Sequence, residues 1–154
     1  MELILWRHAE AEDGLPDDRR ALTPRGRRQA QKMARWLREH LPEGFAVVCS
    51  PAVRARQTAD ALGVDCAVDP RLAPGVEAAS YLAVAGWPKG AGAAGGAVVL
   101  VGHQPTIGCV ASRLLAGREI AWSVKKGAIW WIAARDRDGD RQAVLRTVLA
   151  PDLL

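Results

Sequence analysis

Apolar residues along the chain fall into short blocks with two different rhythms. Leu3–Trp6, Ala46–Cys49 and Ala97–Val101 are unbroken apolar runs. Runs of this length, rich in Val, Ile and Leu and bounded by turn residues, predict strands buried on both faces of a parallel sheet. Val64–Val68 predicts a weaker strand. Ala128–Ala134 and Ala143–Leu149 are two more apolar runs, joined through the charged stretch Arg135–Arg141. The Asp138-Gly139 pair inside that stretch predicts a tight antiparallel hairpin, since a two-residue turn of the right hand needs positive φ.

Helical rhythm lies between these runs. Thr23 is a good N-cap and Pro24 suits a first helical position. Gly26, Ala30, Met33, Ala34, Leu37 and Leu41 then recur at the spacing of one helix face. Arg25, Arg28, Lys32, Arg35 and Glu39 point elsewhere, a stripe that reads as a solvated face rather than a nucleic-acid patch. Further helices are predicted over Ala52–Leu62, Val76–Ala85 and Thr106–Leu115, the last stopped by Gly117. Gly86–Gly96, rich in Gly and Ala, reads as a loop. Strands alternating with helices predict one α/β domain over residues 1–154. It has three layers: a mostly parallel central sheet, helices on both faces, and a C-terminal antiparallel hairpin. Parallel crossovers are right-handed.

Composition narrows the class. A chain of 154 residues buries roughly 68% of its unfolded surface, enough for a core without staples. Hydrophobic residues at 49% and charged residues at 25% exclude a wholly disordered chain. No apolar run approaches the ~18 residues of a membrane helix. The opening MELILWRH does not read as a secretory signal, so a cytoplasmic address is expected. Cys49, Cys66 and Cys109 are widely spaced, odd in number and set among apolar neighbours. They read as small buried hydrophobes, not as a disulfide framework or a zinc site.

The net charge is +4, and it is spread evenly: residues 1–60 carry 11 basic and 9 acidic side chains, residues 61–154 carry 10 and 8. Without a basic arm or many aromatics, neither nucleic acid nor a membrane is the expected partner. The excess of arginine suits a small anionic group.

Three of the predicted strands run directly into polar groups that can bind phosphate. Leu3–Trp6 leads to Arg7-His8, Ala46–Cys49 to Ser50-Pro51 and then Arg54, and Val98–Val101 to Gly102-His103. Ligands of open α/β sheets bind at the carboxyl ends of the strands. Two of the three histidines and two arginines can therefore meet at one sheet edge. Taken singly, His8 or His103 also reads as a core histidine; together with the arginines they point to a site. His40, at the end of the first helix, suits the negative end of the helix dipole.

Four blocks then carry a resemblance. Leu3-Ile4-Leu5-Trp6-Arg7-His8-Ala9-Glu10 resembles the opening of the histidine phosphatase superfamily, a strand followed by R-H-G. Arg20-Ala21-Leu22-Thr23-Pro24-Arg25-Gly26 resembles its L-T-x-x-G helix start. Ser50-Pro51-Ala52-Val53-Arg54-Ala55-Arg56-Gln57-Thr58-Ala59 is similar to its S-P-x-x-R-A-x-Q-T-A block, and Val101-Gly102-His103-Gln104-Pro105 to its second-histidine block. The blocks stand in family order. The short chain, the Glu-Ala-Glu after the histidine and the missing insertion resemble SixA-type phosphohistidine phosphatases more than phosphoglycerate mutases or acid phosphatases.

The resemblance implies a phosphoglycerate mutase-like fold and a metal-independent phosphatase, with no cofactor. His8 is then the nucleophile and becomes phosphohistidine, while Arg7, Arg54 and His103 clamp the phosphoryl oxygens. Arg20 stands where some members place a further arginine. The residue types suit the chemistry. Phosphoryl transfer asks for positioning and charge neutralisation, arginine forks grip phosphate bidentately, and imidazole attacks only when neutral. The neighbouring arginines are expected to keep His8 unprotonated, and His103, if protonated, adds charge to the clamp. Two departures stand out. Ala9 replaces the family glycine, which is harmless only if the backbone there is ordinary. The general acid is not evident. Glu77 is the nearest candidate by order, and it equally reads as a first-turn helix carboxylate. The expected partner is a phosphohistidine-bearing protein. Small phosphate esters are the alternative substrates, and a non-catalytic phosphate-binding module is the alternative from another class.

Overall fold

The computed structural model describes residues 1–90 and 96–154, so part of the expected Gly86–Gly96 loop lies outside the described residues. Six strands form one sheet: β1 (Glu2–Arg7), β2 (Ala46–Cys49), β3 (Ala67–Val68), β4 (Ala97–Gly102), β5 (Ile129–Arg137) and β6 (Asp140–Leu149). Their order is β3-β2-β4-β1-β5-β6. The first four are parallel, β5 is antiparallel to β1, and β6 to β5. The helices are α1 (Pro24–His40), α2 (Val53–Asp60), α3 (Ala78–Ala85) and α4 (Thr106–Ala116). Among the described residues no helix is long and apolar enough to cross a membrane.

The apolar runs of β1 and β4 are buried on both faces, as strands between two helical layers must be, whereas on β2 Val47 and Cys49 are buried and Ala46 and Val48 half-buried. On β1, Ile4 and Trp6 pack with Met33 and Leu37 of α1 and Ala55 and Ala59 of α2. Leu3 and Leu5 point the other way, to Tyr81 of α3 and Ile107 and Val110 of α4. Thr23 caps α1 as its sequence predicts, its Oγ1 accepting the Gly26 N–H at 2.9 Å. Gly26 itself is required by proximity, because a Cβ there would collide with the Glu10 carbonyl oxygen. This lets α1 lie directly against the segment that follows His8.

Element ends differ from the sequence pattern where packing is thin. The Val64–Val68 strand shrinks to Ala67–Val68, two exposed residues on the sheet edge. The hairpin is longer than its apolar runs: the ladder continues through Arg137↔Asp140, past the last residues with a core to face. Asp138 and Gly139 adopt φ of 55° and 81°, the turn this pair predicts. Of the three cysteines only Cys49 is fully buried, while Cys66 and Cys109 are half-buried near element ends. His40 donates Nδ1–H to the Trp36 carbonyl and stacks on the Trp36 ring.

Candidate active site

Strand register alone brings the two histidines together. Arg7 of β1 pairs with Gly102 of β4, and Cys49 of β2 with Val101. The ladder runs one step further on each side: the His8 N–H reaches the Gly102 carbonyl and the Ser50 N–H the Val101 carbonyl, both at 3.0 Å. His8, His103 and Ser50 thus stand side by side at the carboxyl edge. The two imidazoles lie 5.1 Å apart, centre to centre, and both are buried. They line a cavity of about 190 Å³ together with Arg7, Arg54, Arg20 and Lys126.

Hydrogen bonds set the tautomer of His8. Its Nδ1 lies 2.7 Å from the Ala9 carbonyl oxygen, which can only accept, so the ring hydrogen is on Nδ1. Nε2 keeps its lone pair and accepts the Arg54 Nε–H at 3.2 Å. Ala9 has no positive φ, so alanine carries no backbone strain in the glycine's place. Its N–H donates to Thr58 Oγ1, whose hydroxyl donates in turn to the Arg54 carbonyl. Gln57 of the same helix accepts the Leu22 N–H. One turn of α2 therefore supplies Arg54 and also holds both loops around it.

His103 rests on Ser50 and Tyr81. Its Nε2 is 2.7 Å from Ser50 Oγ, and its backbone N–H donates to the Tyr81 hydroxyl. Ser50 Oγ also accepts the Ala52 N–H, and it keeps both its own hydrogen and a second lone pair to offer Nε2. Nδ1 of His103 is buried with no partner among the described residues. Arg7 donates Nη1–H to the Val124 carbonyl at 2.6 Å, and its Nε–H is likewise buried without a partner. Buried polar atoms are normally satisfied, and two unsatisfied ones on residues lining one cavity fit a bound oxyanion.

Burial is the largest cause of the imidazole shifts. It pushes His8 down to about 4, with Arg54 and Arg7 adding to it against the Ala9 hydrogen bond. His103 is pushed to about 3, by burial first and then by His8 and Arg54. The arginines thus help keep His8 neutral as expected, but removal from water does more. His103 is neutral too, so it brings no positive charge to the cavity.

The remaining expected residues fall in different places. Arg20 lines the cavity, and it donates to the Asp17 carboxylate at 2.9 and 3.1 Å and to the Glu12 carbonyl at 3.2 Å. Asp17 also accepts Arg54 Nη2–H at 3.0 Å, so one carboxylate bridges both guanidiniums and is held below its usual range. Glu77 is the N-cap residue of α3, is exposed, and is not among the residues lining the cavity. The chain touches the rim at Pro74 and turns away before Glu77, where the Val76 carbonyl is held by Thr106. Asp13 is the carboxylate that lines it. Asp13, Asp17, Gln104 and Lys126 escape sequence reading because they sit in segments without periodicity. Lys126 is placed by its neighbour: the Gly127 N–H donates to the carbonyl of His8. Among the described residues no three His, Cys, Asp or Glu side chains group to hold a metal ion.

Comparison with known proteins places this arrangement. Residues 3–89 match the family model of the histidine phosphatase superfamily (branch 1). The chain belongs to that superfamily. An uncharacterized protein of Mycobacterium tuberculosis (strain ATCC 25618 / H37Rv) is 38% identical over 107 residues, 68% of this chain and 66% of that protein. The match thus spans just under two thirds of that relative's own length. The phosphohistidine phosphatase SixA of Escherichia coli (strain K12) is 30% identical over 125 residues, 76% of each chain. The solved structure of the protein histidine phosphatase SixA complexed with tungstate superposes with a TM-score of 0.79 at 26% identity, covering 99% of both chains. The α/β fold with a mixed six-stranded sheet is the phosphoglycerate mutase-like fold of this superfamily.

Proposed function

We propose that the protein is a phosphatase working through a covalent phosphohistidine on His8, with a phosphohistidine-bearing protein as its substrate. The observation that carries this reading is the Nδ1–H bond from His8 to the Ala9 carbonyl, which leaves Nε2 as a neutral nucleophile inside a cationic cavity. A module that only binds phosphate needs no such atom. Similarity to SixA enzymes supports the substrate class.

The phosphoryl oxygens take the unused Arg7 Nε–H and, in its Nδ1–H tautomer, His103; they displace Asp17 from Arg54 and draw the Arg54 Nε–H off His8 Nε2, which frees its lone pair. The Nε2 lone pair attacks phosphorus, while the bond to the leaving nitrogen breaks and its electron pair stays on the substrate imidazole, which takes a proton from water. A water molecule then attacks the phosphoryl group in line. It loses a proton, the Nε2–P bond returns its pair to His8, and inorganic phosphate leaves. Fixed charge supplies most of the stabilisation, as phosphoryl transfer requires. No metal takes part in these steps. One observation favours a second reading, hydrolysis of small phosphate esters: Asp13 lines the cavity, and an alkoxide leaving group needs a nearby acid.

Rapid quenching with labelled substrate tests the intermediate. Label is expected on His8, lost in acid and stable in base, and absent from His8→Ala, and EDTA is expected to leave the rate unchanged. Turnover without label on His8 overturns the covalent route.

A further inference from the structure

A basic trough leads away from the candidate phosphate site. Lys126 lines both the catalytic cavity and a neighbouring one of about 230 Å³, which Arg25 and Lys125 also line. That cavity shares Arg25 with a third, of about 300 Å³, which extends along α1 to Arg28 and Lys32. Asp13 lines the catalytic cavity, and among the described residues two further acidic side chains line the outer ones. Glu10 accepts the Thr23 hydroxyl and lies 3.7 Å from Arg25, and Asp152 pairs with Lys125 at 2.9 Å. Arg28 and Lys126 have no acidic partner among the described residues. Lys32 donates Nζ–H to the Leu154 carbonyl oxygen at 3.0 Å. Five basic side chains (Arg25, Arg28, Lys32, Lys125 and Lys126) face two acidic ones along the two outer cavities, so positive charge is left over there.

We propose that this trough docks an acidic segment of the phosphorylated protein while its phosphohistidine occupies the catalytic cavity. The inference rests on the phosphoprotein reading above and adds to it the chemistry of the recognised surface. Arg25, Arg28 and Lys32 are spaced i, i+3 and i+7 on α1, a stripe roughly 10 Å long at 1.5 Å per residue. A single small anion cannot span it, but carboxylates repeated at helical spacing on a partner can. No aromatic side chain lines either outer cavity, so base stacking, the usual grip on single-stranded nucleic acid, is missing. Exposed pairs are weak one at a time. A groove of one sign instead steers an oppositely charged partner and fixes its register.

Two phosphohistidine peptides with the same core, one with Glu-rich and one with Gln-rich flanks, test the trough, with p-nitrophenyl phosphate as the small reference substrate. Wild type is expected to turn over the Glu-flanked peptide with at least about fivefold higher kcat/KM at about 0.1 M salt. The preference is expected to vanish at about 1 M salt, where the Debye length drops from about 10 to about 3 Å. Arg28→Glu/Lys32→Glu is expected to abolish the preference through KM, and Arg28→Gln/Lys32→Gln to weaken it. Both variants keep p-nitrophenyl phosphate turnover within about twofold, because neither residue lines the catalytic cavity. Equal turnover of the two peptides by wild type overturns the trough and leaves the phosphoprotein reading intact. So does a preference that survives the charge reversal, or a parallel loss of ester turnover in both variants. Turnover of the ester but of neither peptide overturns the phosphoprotein reading and the trough with it. Stronger inhibition by an RNA oligonucleotide than by a Glu-rich peptide without phosphate assigns the surface to nucleic acid and overturns the proposal.

Discussion

At the scale of single residues, the two site histidines are neutral because they are buried. Folded His8 titrates at about 4 and His103 at about 3, whereas an imidazole in the unfolded chain titrates near 6.5. Between these values the unfolded chain holds more protons than the folded one. Stability is therefore complete at pH 7 and is lost as pH falls below about 6.5. Thermal melts at pH 7 and pH 5 check this: Tm is expected to drop for wild type and to drop less for His103→Asn. Activity follows the same groups. On the proposed route only neutral His8 attacks, so the acid limb of kcat/KM is expected near pH 4, and a limb at pH 6.5 would contradict burial as the dominant cause. Arg7, His8, Arg54 and His103 are legible in the sequence because each directly follows a strand or opens a helix. Asp17 is not legible, because only the folded chain brings its carboxylate onto Arg54, 37 residues away.

At the scale of elements, the helices are held by close approaches as much as by apolar faces. α1 meets the segment after His8 at Gly26, where the nearest obstacle is a backbone oxygen and not a flexible side chain. Alanine there gains about 1 kcal/mol of helix propensity, but overpacking costs about 1–3 kcal/mol or more when backbone must move. Gly26→Ala is therefore expected to destabilise the fold by up to about 2 kcal/mol net, measured by urea unfolding, and to lower kcat as Glu10 and its neighbours shift. A stabilised variant would show that α1 can retreat freely. Gly102 is constrained in the same way by the Tyr81 hydroxyl that holds the His103 N–H. Element existence follows the apolar rhythm well, whereas element ends depend on cover. β5 and β6 extend beyond their apolar runs because the hydrogen-bond ladder continues after the core stops, and β3 shortens because nothing packs on its exposed pair.

At the scale of the whole molecule, the catalytic cavity is small and lies on a sheet edge. Its volume of about 190 Å³ is below the roughly 300–1,000 Å³ typical of sites that enclose small ligands. On the proposed function it takes a phosphoryl group with little of what carries it, and discrimination then comes from the surface around it. A phosphohistidine peptide is accordingly expected to be turned over with at least tenfold higher kcat/KM than any sugar or glycerol phosphate under the same conditions, about 1.4 kcal/mol of transition-state discrimination. A small ester that wins by tenfold overturns the protein-substrate reading and leaves the phosphatase reading standing.

The sequence by itself determined the layered α/β class, the hairpin turn at Asp138-Gly139, the cap of α1 and the meeting of Arg7, His8, Arg54 and His103 at one sheet edge. These depend on local chemistry: runs, periods, turn residues, and polar groups placed just after apolar strands. Tertiary structure alone decided that Arg54 meets Nε2 of His8, that His103 is neutral, that Asp17 bridges Arg20 and Arg54, and that Lys126 joins the cavity. Each of these involves a partner far along the chain, or depends on how much water the fold removes. Neither quantity has a periodic trace in the order of the residues, and both arise only when the register of β1 against β4 sets His8 beside His103.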